Sequence, residues 1–237
     1  MDPKKLNETI DMEYVKNTLM ELVRIPSVNP PQEQGEEKAA RYLARKLQEL
    51  GAESKVDEIS CGRANAVGIF GGDQAGPTLV LNGHLDVVPA HEGSWENPPF
   101  DPIIRNERIY GRGTADMKGG IAAMLGAIKV VNDLDIPLRG KVVAAFVCDE
   151  ESNNLGTLDY LDTYPKADYA IVGEPTSMDL AIAHRGVARF KIRVVGKAGH
   201  AGEPDNGINA IYRMNKVICA LQEHNESLSS RKHRLLP

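Results

Sequence analysis

Apolar side chains fall at helical spacing early in the chain and in short unbroken runs further on. In residues 12–24, Tyr14, Val15, Leu19, Leu22 and Val23 share one face of a helical pattern. The pattern stops at "IPSVNPP", where Pro26, Pro30 and Pro31 predict a loop. Residues 35–50 predict a second amphipathic helix, with Ala39, Leu43, Leu47 and Leu50 on its apolar face and Gly51 as its stop. Residues 64–70, 78–81, 141–147 and 169–172 are short apolar runs and predict strands. Residues 117–131 and 155–164 predict helices, the first rich in small residues that allow close packing. Between them, residues 90–102 are irregular, rich in Pro, Gly and Asn, and hold the single tryptophan, Trp95.

Continuous apolar strands separated by helices indicate strands covered on both faces. The predicted fold is α/β, a mostly parallel sheet flanked by helices. After residue 184 the pattern changes. "VARFKIRVV", residues 187–195, alternates Phe190, Ile192 and Val194 with Arg189, Lys191 and Arg193, which predicts a strand with one wet face. An amphipathic helix over residues 209–223 follows. The expected organisation is a domain over residues 1–184 and the start of a smaller α+β domain over residues 185–237.

Composition narrows the class. With 237 residues, 42% hydrophobic and 26% charged, the chain can bury a sizeable core. A net charge of -5 with interspersed signs argues against nucleic acid or an anionic membrane as a partner. Cys61, Cys148 and Cys219 are far apart and form no C-x-x-C pair, so they are expected to be reduced core thiols of a cytoplasmic protein. "MDPKKLNETI" has no apolar core of a signal peptide, and no apolar stretch approaches a membrane span.

Candidate chemistry gathers at strand ends. "NGHLDVVP" follows the 78–81 run and "CDEES" the 141–147 run. "VGEPT" closes the 169–172 run, and "GRGTADMKGG" opens the 117–131 helix. Ligands of open parallel sheets bind outside the carboxyl ends of the strands. His84, Asp86, Asp116, Glu150, Glu151 and Glu174 are therefore expected to converge. One imidazole and several carboxylates suit a divalent metal, zinc above all. Three consecutive acids, Asp149, Glu150 and Glu151, become favourable together when cations offset their repulsion. His84 and Asp86 point the same way in extended chain, so Asp86 can accept a hydrogen bond from the second ring nitrogen of His84. Taken singly, each motif is compatible with an ordinary turn or helix cap. "GRGTAD" has no P-loop Lys-Ser/Thr after it, and Arg112 and Lys118 are the only basic residues in these motifs that phosphate chemistry would find.

Taken in order, "GHLDVVP", "GRGTADMKGG", "DEES", "GEPT" and "GKAGHAGEPDNGINAI" resemble the dinuclear-zinc amidohydrolase and peptidase family. That family includes acetylornithine deacetylase, succinyl-diaminopimelate desuccinylase, aminoacylase and the glutamate carboxypeptidases. The resemblance implies that His84, Asp116 and Glu174 hold one zinc, with Asp116 bridging to a second held by Glu151. It implies Glu150 as general base and Asp86 as the support of His84. His200 in the smaller lid domain would stabilise the developing oxyanion. It also implies Co2+ or Mn2+ as alternative metals, a homodimer formed through the lid, and an N-acyl amino acid or short peptide as substrate. The family's second zinc takes a further histidine from a later segment. His91, His184, His224 and His233 do not stand in that motif, and the chain reads as ending inside the lid. Two readings stay open: a metal-dependent amide hydrolase, and a non-catalytic remnant of the same fold.

Overall fold

A computed structural model gives the structure of the protein and describes residues 3–29, 35–71, 76–232 and 234–235. The loop expected at the proline cluster falls partly on residues 30–34, outside the described residues. The chain forms two compact units, Met1–Ser177 and Met178–Pro237. The expected domain boundary lay later, between residues 184 and 185.

In the first unit, helices α1 (Pro3–Glu8), α2 (Met12–Val23) and α3 (Glu37–Glu49) precede strands β1 (Glu53–Ser60), β2 (Arg63–Phe70) and β3 (Thr78–His84). A short hairpin, β4 (Ile103–Arg105) with β5 (Arg108–Tyr110), follows. Then come α4 (Lys118–Asp133), β6 (Lys141–Val147), α5 (Leu155–Thr163) and β7 (Tyr169–Val172). The five-stranded sheet has the order β1-β2-β6-β3-β7. β3 pairs in parallel with β6 and β7, while β2 runs antiparallel to both β1 and β6. Four of the five strands therefore point one way, and only β2 opposes them.

Each helix forms for a local reason. Asp11 caps α2 by accepting the Tyr14 N–H at 2.9 Å. The apolar stripe of α3, Ala39, Ala40, Leu43 and Leu47, is fully buried. One face of the sheet packs against α2, α3 and α4 through a core that includes Leu22, Leu43, Leu81, Leu125 and Phe146. The other face carries Val67, Val80, Val143 and Val147, covered by Tyr160 of α5. β7 departs from the expectation of strands buried on both faces. Among the described residues it pairs only with β3, and Tyr169, Ile171 and Val172 are exposed.

Two glycines bring α4 to the strand ends. A Cβ on Gly83 would stand 2.9 Å from side-chain atoms of both Ile121 and Met117, so the missing side chain lets these two pack directly on β3. A Cβ on Gly120 would stand 2.3 Å from the carbonyl oxygen of Gly173, which fixes α4 against the end of β7.

The second unit holds α6 (Ala210–Leu228), capped by Asn209, which accepts the Ile211 N–H at 2.9 Å. The strand expected over residues 187–195 is not formed; among the described residues the one pairing in this unit is an isolated bridge between Lys197 and Ile208. An alternating pattern makes a strand only where a neighbouring strand satisfies its backbone. No described residue of this unit is buried. The cysteine expectation is also corrected. Cys148 is buried, but Cys61 in the β1–β2 turn and Cys219 on α6 are exposed, and all three are free.

Candidate metal centre

The parallel strands deliver the functional side chains. β3 ends on His84, β6 leads into residues 148–151, and β7 leads into Glu174. Asp116 immediately precedes Met117 and the first turn of α4.

His84 is the buried centre of the cluster, 2% exposed. Its Nε2 lies 2.9 Å from Asp116 Oδ1, 3.6 Å from Glu174 Oε1 and 3.9 Å from Glu150 Oε2. The three carboxylates are partly open to solvent. Its Nδ1 is 2.9 Å from the main-chain oxygen of Asp86 and 3.6 Å from the Asp86 carboxylate. The hydrogen bond expected from the Asp86 side chain is thus made by its carbonyl. The carboxylate lies beyond hydrogen-bond length and acts on the ring through its charge.

The Asp86 carboxylate is fully buried and has a different task. Oδ1 accepts the Glu150 N–H at 3.1 Å, and Oδ2 accepts the Glu151 N–H at 3.0 Å and the Asn29 side-chain amide at 2.7 Å. Burial alone would raise its pKa; these bonds and His84 overcome that and hold it below the usual carboxylate range.

The three consecutive acids separate in space. Asp149, fully buried with φ of 66°, turns inward onto the Arg63 guanidinium. Glu150 and Glu151 face the His84 side. One of the three charges that suggested metal is therefore neutralised by arginine.

The remaining electrostatics favour a cation. Burial, followed by the neighbouring Asp116 charge, raises the pKa of Glu151. Burial raises Glu174 as well; His84 opposes that rise, and Asp116, Glu150 and Glu151 add to it. Burial pulls His84 down, but Asp86, Glu174 and Glu150 push it up to about 9. Bringing a divalent ion among these groups reverses their mutual repulsion.

Two donor sets each have their ligand atoms within 4.8 Å of one another: His84 with Glu150 and Glu174, and His84 with Asp116 and Glu151. This nitrogen-and-oxygen set fits zinc, cobalt or manganese. His84 has one ring nitrogen left after the bond to Asp86 O, so the two sets share a single imidazole. A second ion would rest on carboxylates alone among the described residues.

Sequence reasoning missed Asn29, Arg63 and Glu36, which lie behind the cluster, and misread Lys118. Asn29 sat among loop prolines, and Arg63 opened an apolar strand as an odd charge. Lys118 is fully buried and donates to the carbonyls of Leu22 at 3.0 Å and Ile25 at 2.8 Å. It is unavailable to phosphate, and burial lowers it to about 7. Arg112 stacks over Trp95 at 5.2 Å and donates to Pro89 O at 3.3 Å.

In the second unit His200 is exposed, and its Nδ1 accepts the Gly202 N–H at 3.1 Å. His184 and His224 are not buried, and His233 lies outside the described residues. His91 is an exposed loop residue of the first unit.

A family model described as peptidase family M20/M25/M40 matches residues 80–226. The chain belongs to this family. The acetylornithine deacetylase of Aliivibrio fischeri strain MJ11 is 37% identical over 210 residues, covering 88% of this chain and 54% of that relative. The chain thus spans about half the length of the curated relatives it matches. Human carnosine dipeptidase 1 matches in structure with a TM-score of 0.63 at 25% identity, over 71% of this chain and 40% of that one. A tripeptidase of Staphylococcus aureus gives 0.63 at 26%, over 89% and 56%. A family M20 metallo-carboxypeptidase of Sulfolobus solfataricus gives 0.59 at 30%, over 67% and 37%. Among the described residues, no helix is long and apolar enough to cross a membrane.

Proposed function

We propose that the protein supplies the metal-binding core of a hydrolase that cleaves the linear amide bond of an N-acyl amino acid or short peptide. The carrying observation is the convergence of His84, Asp116, Glu150, Glu151 and Glu174 at the carboxyl ends of β3, β6 and β7. Similarity to acetylornithine deacetylases over most of the chain favours a deacylase over a peptidase.

When bound, the metal supplies a Lewis acid that polarises the amide carbonyl and makes water easier to deprotonate. Of the chain's own residues, His84, Asp116, Glu151 and Glu174 would hold it. Glu150 takes the proton of the attacking water and passes it to the departing amine as the C–N bond breaks. The Asp86 carboxylate fixes the backbone beneath Glu150 and Glu151. A neutral His200 that accepts at Nδ1 carries its proton on Nε2, the form that donates to a developing oxyanion. Zinc is the proposed ion, with cobalt and manganese as substitutes. A homodimer through residues 185–237 and a cytoplasmic location complete the reading.

The test is a panel of Nα-acyl amino acids, Nα-acetylornithine included, and of dipeptides, offered to the protein with zinc or cobalt. Turnover of the acyl amino acids that a chelator abolishes is the expected result. No turnover of any panel member would refute it. A second reading, metal binding without turnover, is favoured by the single imidazole nitrogen shared by both donor sets. Bound metal without hydrolysis would select it.

A further inference from the structure

Behind the metal-facing acids lies a buried polar chain that no step of the hydrolysis uses. Its hub is Asn29, 3% exposed. The Asn29 side-chain amide donates to Asp86 Oδ2 at 2.7 Å and to Asp149 Oδ1 at 3.1 Å. Its side-chain oxygen accepts from Arg63 Nη2 at 2.8 Å and from the Ser152 hydroxyl at 3.2 Å. Its own N–H donates to Val87 O at 2.9 Å, next to the Val28–Val87 bridge, so the hub is tied to the chain just after β3. Arg63 also pairs with Asp149 through Nη1. Asp86 and Asp149 therefore meet on one amide. Asp86 holds the N–H groups of Glu150 and Glu151. The main-chain oxygen of Asp149 accepts from Asn153 at 3.2 Å and from Asn154. The turn that aims Glu150 and Glu151 is gripped on both sides by groups that Asn29 and Arg63 join.

We infer that Asn29 and Arg63 are positioning residues that set the aim of Glu150 and Glu151 toward His84 through Asp86 and Asp149. Two buried carboxylates that share one donor group repel unless donors offset their charge; Asn29 donates to both, and Arg63 pairs with Asp149. Asn29→Ala removes the shared donor. Arg63→Lys keeps the charge on Asp149 but has no second N–H in fork geometry for Asn29. This inference rests on the proposed role of Glu150 and Glu151.

The probe is Co2+ alone, read by its visible absorption and by chelator competition, with turnover measured in parallel. Leu47→Ala, on the buried face of α3, serves as the control for lost stability. Outer partners of metal ligands typically change metal affinity or activity by about 10- to 100-fold. Asn29→Ala should weaken Co2+ binding by about that factor, alter the cobalt spectrum and lower kcat with KM changed less than about threefold. Arg63→Lys should shift all three in the same direction by less, and it carries the test if Asn29→Ala does not fold. Leu47→Ala should lower the melting temperature and leave the cobalt spectrum as in the wild type. The inference is overturned if both site variants keep wild-type cobalt affinity and spectrum, or if Leu47→Ala reproduces their changes. Absence of turnover in the wild type would sink the hydrolase reading alone, because the cobalt measurements decide the positioning role without it.

Discussion

His84 Nε2 and Asp116 Oδ1 stand 2.9 Å apart, joined by the end of β3 and the turn that opens α4. Glu174 closes the same group from β7 at 3.6 Å. The proposed ligand role would make each of these side chains necessary for metal. His84→Ala and Glu174→Ala should each lose metal at least about tenfold more readily than the wild type. Elemental analysis after dialysis against a weak chelator checks this. Unchanged zinc content in both variants would contradict the ligand roles.

Glu150 and Glu151 occupy different donor sets although they are neighbours in sequence. Glu150→Gln preserves shape and removes the proton acceptor. It should retain bound metal and lose turnover by about a hundred- to ten-thousand-fold, the usual contribution of a general base. Loss of metal with the lost turnover would instead make Glu150 a ligand, as its place beside His84 and Glu174 permits.

Glu36 is fully buried, and among the described residues neither of its carboxyl oxygens has a hydrogen-bond partner. Burial pushes it up to about 7 from the usual 4.5, although Arg63 at 3.9 Å opposes the rise. Between those values the folded protein holds a proton that the unfolded chain has released. Stability from this group is therefore present below pH 4.5 and is lost as pH rises through 7. Glu36→Gln should match the wild type near pH 5 and exceed it near pH 8 by up to about 3 kcal/mol. Urea unfolding of the metal-free protein at both pH values measures the difference, and parallel curves would refute it.

Lys118 satisfies two carbonyls that follow from the end of α2, at Leu22 and Ile25. Lys118→Met keeps the buried stem and removes the side-chain donor from both carbonyls, while Leu22 O still accepts the Ile25 N–H at 3.1 Å. A buried acceptor stripped of its partner costs about 1–3 kcal/mol. The variant should lose about 1–3 kcal/mol in denaturant unfolding, chiefly from the Ile25 carbonyl. A loss under 1 kcal/mol would mean that another group reaches the Ile25 carbonyl.

Much of this site was legible because its motifs coincide with element boundaries. The unbroken apolar run of residues 141–147 marked β6, and the acids after it had to lie at its carboxyl end. β1 was not legible, since "ESKVDEIS" is mostly polar and is held by its pairing with β2. The reverse error occurred at residues 187–195, where alternation was clear and no strand partner followed. Asn29, Arg63 and Lys118 escaped for one reason. By residue type they belong in water, and their burial depends on hydrogen-bond partners 34 to 123 positions away or on a fold that brings α2 to α4. Asp149 was grouped with Glu150 and Glu151 by adjacency, while its left-handed backbone sends it the other way.

The close approach of α4 to β7 gives the last prediction. Gly120 leaves room for the carbonyl of Gly173, the residue immediately before Glu174. An added methyl would stand 2.3 Å from that oxygen, far inside contact distance, and the obstacle is backbone. β7 is the exposed edge strand, so it yields more readily than the buried start of α4. Gly120→Ala should therefore displace Glu174 and weaken metal binding by about tenfold, with a stability loss of about 1–3 kcal/mol from overpacking. Gly93→Ala, where nothing lies within 4 Å of the added carbon, should change neither. Chelator competition on both variants separates the outcomes. Wild-type metal affinity in Gly120→Ala would show that the strain is absorbed elsewhere and that this contact does not hold Glu174 in place.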